Sequence, residues 1–266
     1  MTDEPDLPAL RSMAEQIARD AGAMLLDGLG RARAEVSTKA TATDMVTEMD
    51  RASEALITAA LLRGRPDDGI LGEEGTQRAG TSGIRWVVDP LDGTTNYLYD
   101  FPGFNVSIAA ERDGRSIVGV VLDIVRDELF SAVRGGGATR NGVAITASSC
   151  RDVAQALLGT GFGYRPEQRR RQAEVLVEVL PAVRDIRRQG AAALDLCSVA
   201  CGRLDAYFEE GLAAWDLAAG GLVAAEAGAE VTDLRGGPPV AHAVVVAAAP
   251  GIARPLRARL VAAHAA

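Results

Sequence analysis

The stretch that decides how this chain reads is Trp86-Val87-Val88-Asp89-Pro90-Leu91-Asp92-Gly93-Thr94-Thr95-Asn96-Tyr97, WVVDPLDGTTNY. A short apolar run of strand character delivers two aspartates, three residues apart and separated by Pro90, into a Gly-Thr-Thr turn. An aspartate after a strand can simply cap a turn or a helix, and Pro-Leu-Asp-Gly is reasonable turn chemistry. The next residues add a second possibility. Gly93-Thr94-Thr95 can open a helix whose exposed N–H groups and positive dipole end form an anion site. Two carboxylates facing such a site repel an anion unless cations lie between them. Oxygen-rich hard ligands at this density suit Mg²⁺, which binds through a few carboxylates plus substrate phosphate.

Working outward, Gly72-Glu73-Glu74-Gly75 follows the apolar pair Ile70-Leu71, which places its carboxylates at a strand end. Trp215-Asp216 opens the apolar helix DLAAGGLVAAEAGA, where Asp216 can serve as an N-cap and still point out of the helix end. The two histidines, His242 and His264, fall outside these motifs and read as non-catalytic.

Residues 7 to 28 carry Leu10, Met13, Ile17, Met24 and Leu25 at helical spacing. A second helix is expected at about 48 to 63, with Ala52, Ala55, Leu56, Ala59 and Leu62 on one side and Gly64-Arg65-Pro66 stopping it. The polar connection KATATD lies between them. From Ile84, the runs IRWVVD, NVSIAAER, SIVGVVLDIV and ELFSAVRGGGATRNGVAI are separated by turns such as Asp113-Gly114 and Asn141-Gly142, and predict an antiparallel sheet. After Cys150 strands and helices alternate: ALLGTGF, a helix from about Glu167 to Leu180, DIRRQG, a helix over AALDLCSVACG, DAYFE, a helix near Trp215, two last strands and a closing helix after Pro250-Gly251. This is an α+β pattern of sheets covered by helices. No Gly-, Ser- or Pro-rich linker divides the chain. One unit over 1–266 is expected, in halves of about 1–145 and 146–266.

Of the 266 residues, 48% are hydrophobic, ample for a substantial core, and the formal charge of −8 argues against a general binder of nucleic acid or anionic membrane. Cys150, Cys197 and Cys201 have neither a paired framework nor metal-ligand spacing, so reduced thiols and a cytoplasmic setting are expected. MTDEPDLPAL has no signal-peptide pattern, and nowhere do 18 uncharged apolar residues run together, so neither secretion nor a membrane span is expected.

GEEG, WVVDPLDGTTNY and AWDLAAGGLVAAEAGAEVTD, in this order and at these separations, resemble the signature of the inositol monophosphatase family, magnesium-dependent phosphatases inhibited by lithium. The resemblance runs from DMVTEMD to the last strands. It implies a layered α-β-α-β-α sandwich. It also implies that Glu73, Asp89 and the Leu91 carbonyl hold one Mg²⁺, that Asp89, Asp92 and Asp216 hold a second, and that a third, weaker ion sits near Glu73. Gly93 and Thr94 match the positions whose N–H groups receive phosphate. Glu73 and Thr94 would hold the attacking water, with Asp50 bonded to the Thr94 hydroxyl. Substrate hydroxyls would meet Asp92, Asp216, Glu209 and the backbone around Ala192, with Glu210 the competing register for Glu209. Lys39 matches a mobile-loop lysine, while Asp44 and Thr47 shape that loop. A homodimer is part of the same expectation.

One departure concerns the substrate. Where members favouring inositol phosphate often carry a serine contact, TGFGYRPE offers Tyr164 and Arg165. Arg165 and Arg169-Arg170-Arg171 read either as contacts to a second anionic group or as a solvated helix face. Inositol 1-phosphate is the expected substrate, with histidinol phosphate or another small sugar phosphate as the alternative. A regulatory binding protein, with or without turnover, is the reading from another class. A structural Ca²⁺ protein fits less well, because Ca²⁺ sites usually gather six to eight oxygens from one loop, and these carboxylates are scattered along the chain.

Overall fold

The computed structural model describes residues 4–29, 36–38 and 45–265. Lys39 and Asp44 lie outside the described residues. The elements run in chain order as helix α1 (Leu7–Gly28), strands β1 (Val36–Thr38) and β2 (Met45–Thr47), α2 (Glu48–Gly64), β3 (Gly69–Gly72), β4 (Gln77–Arg78), β5 (Ile84–Asp92) and the short α3 (Thr94–Leu98). There follow β6 (Asn105–Arg112), β7 (Arg115–Asp123), β8 (Glu128–Val133), β9 (Gly137–Arg140), β10 (Val143–Ala144), β11 (Leu157–Thr160), α4 (Pro166–Val179) and β12 (Asp185–Arg187). The chain closes through α5 (Ala192–Ala200), β13 (Ala206–Glu210), α6 (Ala214–Glu226), β14 (Glu230–Asp233), β15 (Val244–Ala248) and α7 (Pro250–Ala265).

Two sheets carry the architecture. The larger has eight strands in the order β10-β9-β8-β7-β6-β5-β3-β4, antiparallel except for the parallel β3–β5 pair. The smaller has five, β12-β11-β13-β15-β14, with β11 parallel to both its neighbours. Period-two alternation sorts each strand's side chains onto two faces. In β5, Trp86 and Val88 join a core with Ile17, Leu25, Ile57 and Leu61 of α1 and α2, while Val87 joins one built on α5 and α6. In β13, Tyr207 faces that same α5–α6 core, and Ala206 and Phe208 face Leu256 and Leu260 of α7 and Val175 of α4. The layers are therefore α1α2, sheet, α5α6, sheet, α4α7: the expected α-β-α-β-α sandwich. Helices α5 and α6 are buried between two sheets, which explains their nearly all-apolar composition.

One helix faces the wrong way for the sequence reading. The buried side of α2 is Asp50, Ser53, Glu54, Ile57 and Leu61, whereas Ala55 and Ala59 are exposed and Ala52, Leu56 and Leu62 only partly covered. The apolar stripe loses because the polar one has structural bonds to make. Ser53 Oγ donates to the Pro90 carbonyl at 2.9 Å, and the Glu54 carboxylate accepts from Glu74 N–H at 2.7 Å and from the Thr76 N–H and hydroxyl at 3.0 and 2.6 Å.

Candidate active site

The site begins with the break in β5. Asp89 pairs with Ser107 and Asp92 with Asn105, so three steps along β5 match two along β6. This is a bulge of one extra residue. In a regular strand, residues three apart point to opposite faces. With the extra residue both aspartates lie opposite residues of the same β6 face, the one directed at α6. Pro90, which has no N–H to give a ladder, is accommodated at the irregularity, and Ser53 takes up its carbonyl. Gly93 then turns the chain at φ +89°, where a Cβ would stand 2.6 Å from the Gly103 carbonyl oxygen, and α3 begins at Thr94.

Other elements bring the remaining groups to this point. Glu73 follows the end of β3, its N–H donating to the Val88 carbonyl at 3.2 Å. Asp216 sits in the first turn of α6, and Ser107 of β6 donates to the Trp215 carbonyl at 3.4 Å. Asp216 is not the N-cap. It is the third helical residue and reaches back to accept the Ala213 N–H at 2.7 Å. Residues Glu73, Asp89, Leu91, Asp92, Gly93, Thr94, Ala192, Glu209 and Asp216 all line one cleft of ≈ 320 Å³. Asp50 lies behind it, buried on α2, with its Oδ1 3.5 Å from the Thr94 hydroxyl, which is closer to the Leu91 carbonyl at 3.1 Å.

Electrostatically the cleft is a concentration of negative charge. Asp89 and Asp92 are buried, Asp216 is half-buried, and Glu73 meets solvent at the mouth. Loss of water around Asp89 drives its pKa well above the carboxylate range, and repulsion from Glu73, Asp92 and Asp216 adds to that. Asp216 is raised in the same way, by burial and then by Asp92. Glu73 is raised by loss of surrounding water and by Asp50, Asp92 and Glu74, and lowered by its hydrogen bond with Asp89. Burial also lifts Asp92, but Asn105 and the N–H groups of Ala193, Ala192 and Gly93 pull the other way. Asn105 Nδ2 and Ala193 N–H donate to Asp92 Oδ2 at 2.8 and 2.9 Å.

Among the described residues, none of these four carboxylates is in an ion pair with Lys or Arg. Nor does any group of three His, Cys, Asp or Glu there already stand in metal-holding geometry. Three of them accept protein N–H groups instead: Asp89 Oδ1 from Leu91 at 3.1 Å, Asp92 from Asn105 and Ala193, and Asp216 from Ala213.

Glu209 forms the opposite wall. It accepts the Tyr207 hydroxyl at 2.5 Å, and its pKa is pushed up to about 7 by burial against the opposing pull of Tyr207 and Arg188. Glu210 also lines the cleft. Tyr164 contributes as the sequence suggested, whereas Arg165 and Arg169 to Arg171 stay outside, exposed at the start of α4. His242 and His264 do not line the cleft either. The sequence reading missed Arg188, Asn105 and the α2 pair Ser53 and Glu54. A signal was present in the last two: with Asp50 they recur at helical spacing three and four residues on, a polar stripe as regular as the apolar one.

The model of the Inositol monophosphatase family matches residues 6–266. The inositol-1-monophosphatase SuhB of Mycobacterium tuberculosis is 45% identical, over 98% of this chain and 96% of its own length. A Nus factor SuhB of Pasteurella multocida is 43% identical over 91% of this chain and 92% of its own. Among solved structures, the extragenic suppressor protein SuhB of Bartonella henselae superposes with a TM-score of 0.90 at 39% identity, covering 95% of this chain and 98% of that one. This chain belongs to the inositol monophosphatase family and is a phosphatase.

Proposed function

We propose that the chain hydrolyses inositol 1-phosphate to inositol and inorganic phosphate, with Mg²⁺ as its metal, two to three ions per subunit, acting as a cytoplasmic homodimer. The observation that carries this reading is the convergence of Glu73, Asp89, Asp92 and Asp216 on one cleft beside Gly93 and Thr94. The donor set fits a hard divalent cation, being all oxygen and mutually repelling. Glu73, Asp89 and the Leu91 carbonyl would hold one ion, and Asp89, Asp92 and Asp216 a second. When bound, such ions neutralise phosphate oxygens and acidify bound water.

The chain's own groups do the rest. The N–H groups of Gly93 and Thr94 receive the phosphate. Glu73 and the Thr94 hydroxyl orient the water, and Asp50 holds that hydroxyl in place. Water forms the new P–O bond and gives up a proton to solvent, the ester P–O bond breaks with its electron pair leaving on the inositol oxygen, and a solvent proton completes that hydroxyl. Glu209, Asp216 and the backbone at Ala192 hold the hydroxyls of the departing ring. With water as the nucleophile, no phospho-enzyme forms and no nucleophilic histidine is required.

The test is phosphate release from purified protein and Mg²⁺ on inositol 1-phosphate, histidinol phosphate, fructose 1,6-bisphosphate and a phosphoadenosine, with and without lithium. Fastest, lithium-sensitive release from inositol 1-phosphate is expected. Preference for histidinol phosphate would overturn the substrate and keep the site. The relative named Nus factor SuhB favours a second reading, a regulatory role beside catalysis. Asp92→Asn separates the two, abolishing turnover while leaving such a role intact.

A further inference from the structure

The wall of the cleft that carries Glu209 belongs to the inner face of the five-stranded sheet, and a tyrosine behind it has no part yet in the reaction. Tyr207 and Glu209 stand two residues apart in β13, so their side chains leave the same face. Tyr207 is fully buried in the α5–α6 core, against Gly159 of β11, its register partner: a Cβ on that glycine would stand 3.2 Å from the Tyr207 ring. A hydroxyl at that depth needs a partner, and it donates to Glu209 Oε2 at 2.5 Å. Burial pushes the phenol well above its ordinary range, so the hydroxyl keeps its proton and stays the donor.

Glu209 is confined from a second side by what Gly161 leaves out. Strand β11 ends at Thr160 and Gly161 follows, its bare Cα against the Glu209 carboxylate: an added Cβ would collide with both Oε1 and Oε2. The carboxylate therefore lies between a fixed phenol and a flat patch of backbone. Oε2 is committed to Tyr207. Oε1 has no hydrogen-bond partner among the described residues and is not sealed from solvent, and the hollow on that face of the sheet is the cleft. A carboxylate with one oxygen tied and one open has lost much of its rotamer freedom before a substrate arrives, which lowers the entropic cost of binding.

We propose that Tyr207 is a positioning residue for ring recognition: by holding Oε2 it presents Oε1 of Glu209 to the hydroxyls of the ring that leaves. This role rests on Glu209 meeting the ring hydroxyls, as assigned above. Tyr207 itself touches no reacting atom, so loss of its hydroxyl acts on ring binding and spares the phosphate site.

Tyr207→Phe keeps the ring and removes the hydroxyl. With Mg²⁺ and inositol 1-phosphate it should raise KM about fivefold, the equivalent of one hydrogen bond, with kcat within about twofold; the inhibition constant of inorganic phosphate, which has no ring, should also stay within about twofold. Gly161→Ala displaces the same carboxylate from outside the core and should raise KM in the same direction. Glu209→Ala should raise KM by about tenfold or more, and adding Tyr207→Phe to it should raise KM no further. An unchanged KM in Tyr207→Phe beside a raised KM in Glu209→Ala would overturn the inference alone, as would a further rise in the double variant or an equal weakening of inorganic phosphate. An unchanged KM in Glu209→Ala would overturn the assignment of Glu209 to the ring, and the inference with it. Should Tyr207→Phe fail to fold, Gly161→Ala decides by the same constants. If the unaltered chain prefers another sugar phosphate, the substrate reading falls, and the same constants measured on that ester decide for or against Tyr207.

Discussion

At the scale of single residues, the cleft trades stability for charge. Asp216 accepts one N–H and otherwise faces like charges. Asp216→Asn keeps an oxygen for Ala213 and removes one of the repelling groups. Phosphate release should fall by at least ~10²-fold while the Tm measured without divalent cations holds or rises. A Tm several degrees lower would show that this carboxylate is there to build the helix end. Glu54 is the opposite case. Its carboxylate collects three donors from the Glu74–Thr76 turn, and an amide nitrogen cannot accept any of them. Glu54→Gln should cost about 1–3 kcal/mol in urea unfolding and lower turnover as well, because Glu73 begins that turn. Asp89 and Asp92 were readable in the sequence because a strand rarely runs two carboxylates into a Gly-Thr-Thr turn without cause. Glu54 was legible only as part of the polar stripe with Asp50 and Ser53, and that stripe was outweighed, since an acidic residue in a helix ordinarily reads as solvated and the alanines and leucines of α2 spell a competing face.

At the scale of elements, the geometry depends on how closely α6 lies on the large sheet. The contact is made by Gly119 of β7, where an added Cβ would stand 2.7 Å from the Ala219 carbonyl oxygen of α6. Backbone cannot yield there as a flexible side chain would. Gly119→Ala should therefore lift α6 and carry Asp216 with it, costing about 1–3 kcal/mol and reducing turnover without altering any group that lines the cleft. Urea denaturation and phosphate release on the same preparation check both halves. An unchanged protein would mean that α6 has slack the packing does not suggest. The sequence made α1, α6 and the antiparallel run from β5 onward legible, because period and turn chemistry agree there. The bulge was not legible: Pro90 announces an irregularity, but only the partner register at Ser107 and Asn105 shows that it gathers both aspartates onto one face. The parallel placement of β3 was likewise out of reach, since four residues, GILG, carry no mark of direction.

At the scale of the whole molecule, two results are expected, one on acid stability and one on cooperativity. Asp68 is buried beneath β5, bonded by Arg65 at 2.9 and 3.0 Å, Ser82 at 2.6 Å and the Trp86 indole N–H at 2.9 Å. Burial alone would raise its pKa, but these donors outweigh burial and hold it below the usual range. A depressed carboxylate contributes stability above its unfolded pKa, about 3.9, and loses it as pH falls through the lower folded value. The stability gap between the unaltered chain and Asp68→Asn should thus be constant near neutrality and shrink below about pH 4. Cooperativity follows from the middle layer. Helices α5 and α6 are covered by the large sheet on one side and the small sheet on the other, so losing either sheet exposes a core both share. We infer that residues 1–145 and 146–266 unfold as one unit. The two tryptophans report on both parts, Trp86 inside the large sheet and Trp215 at the start of α6. Fluorescence of single-tryptophan variants and far-ultraviolet dichroism should trace one coincident urea transition. If Trp86 kept its native signal after Trp215 had lost it, the small sheet would be detachable and the shared layer would not bind the halves together.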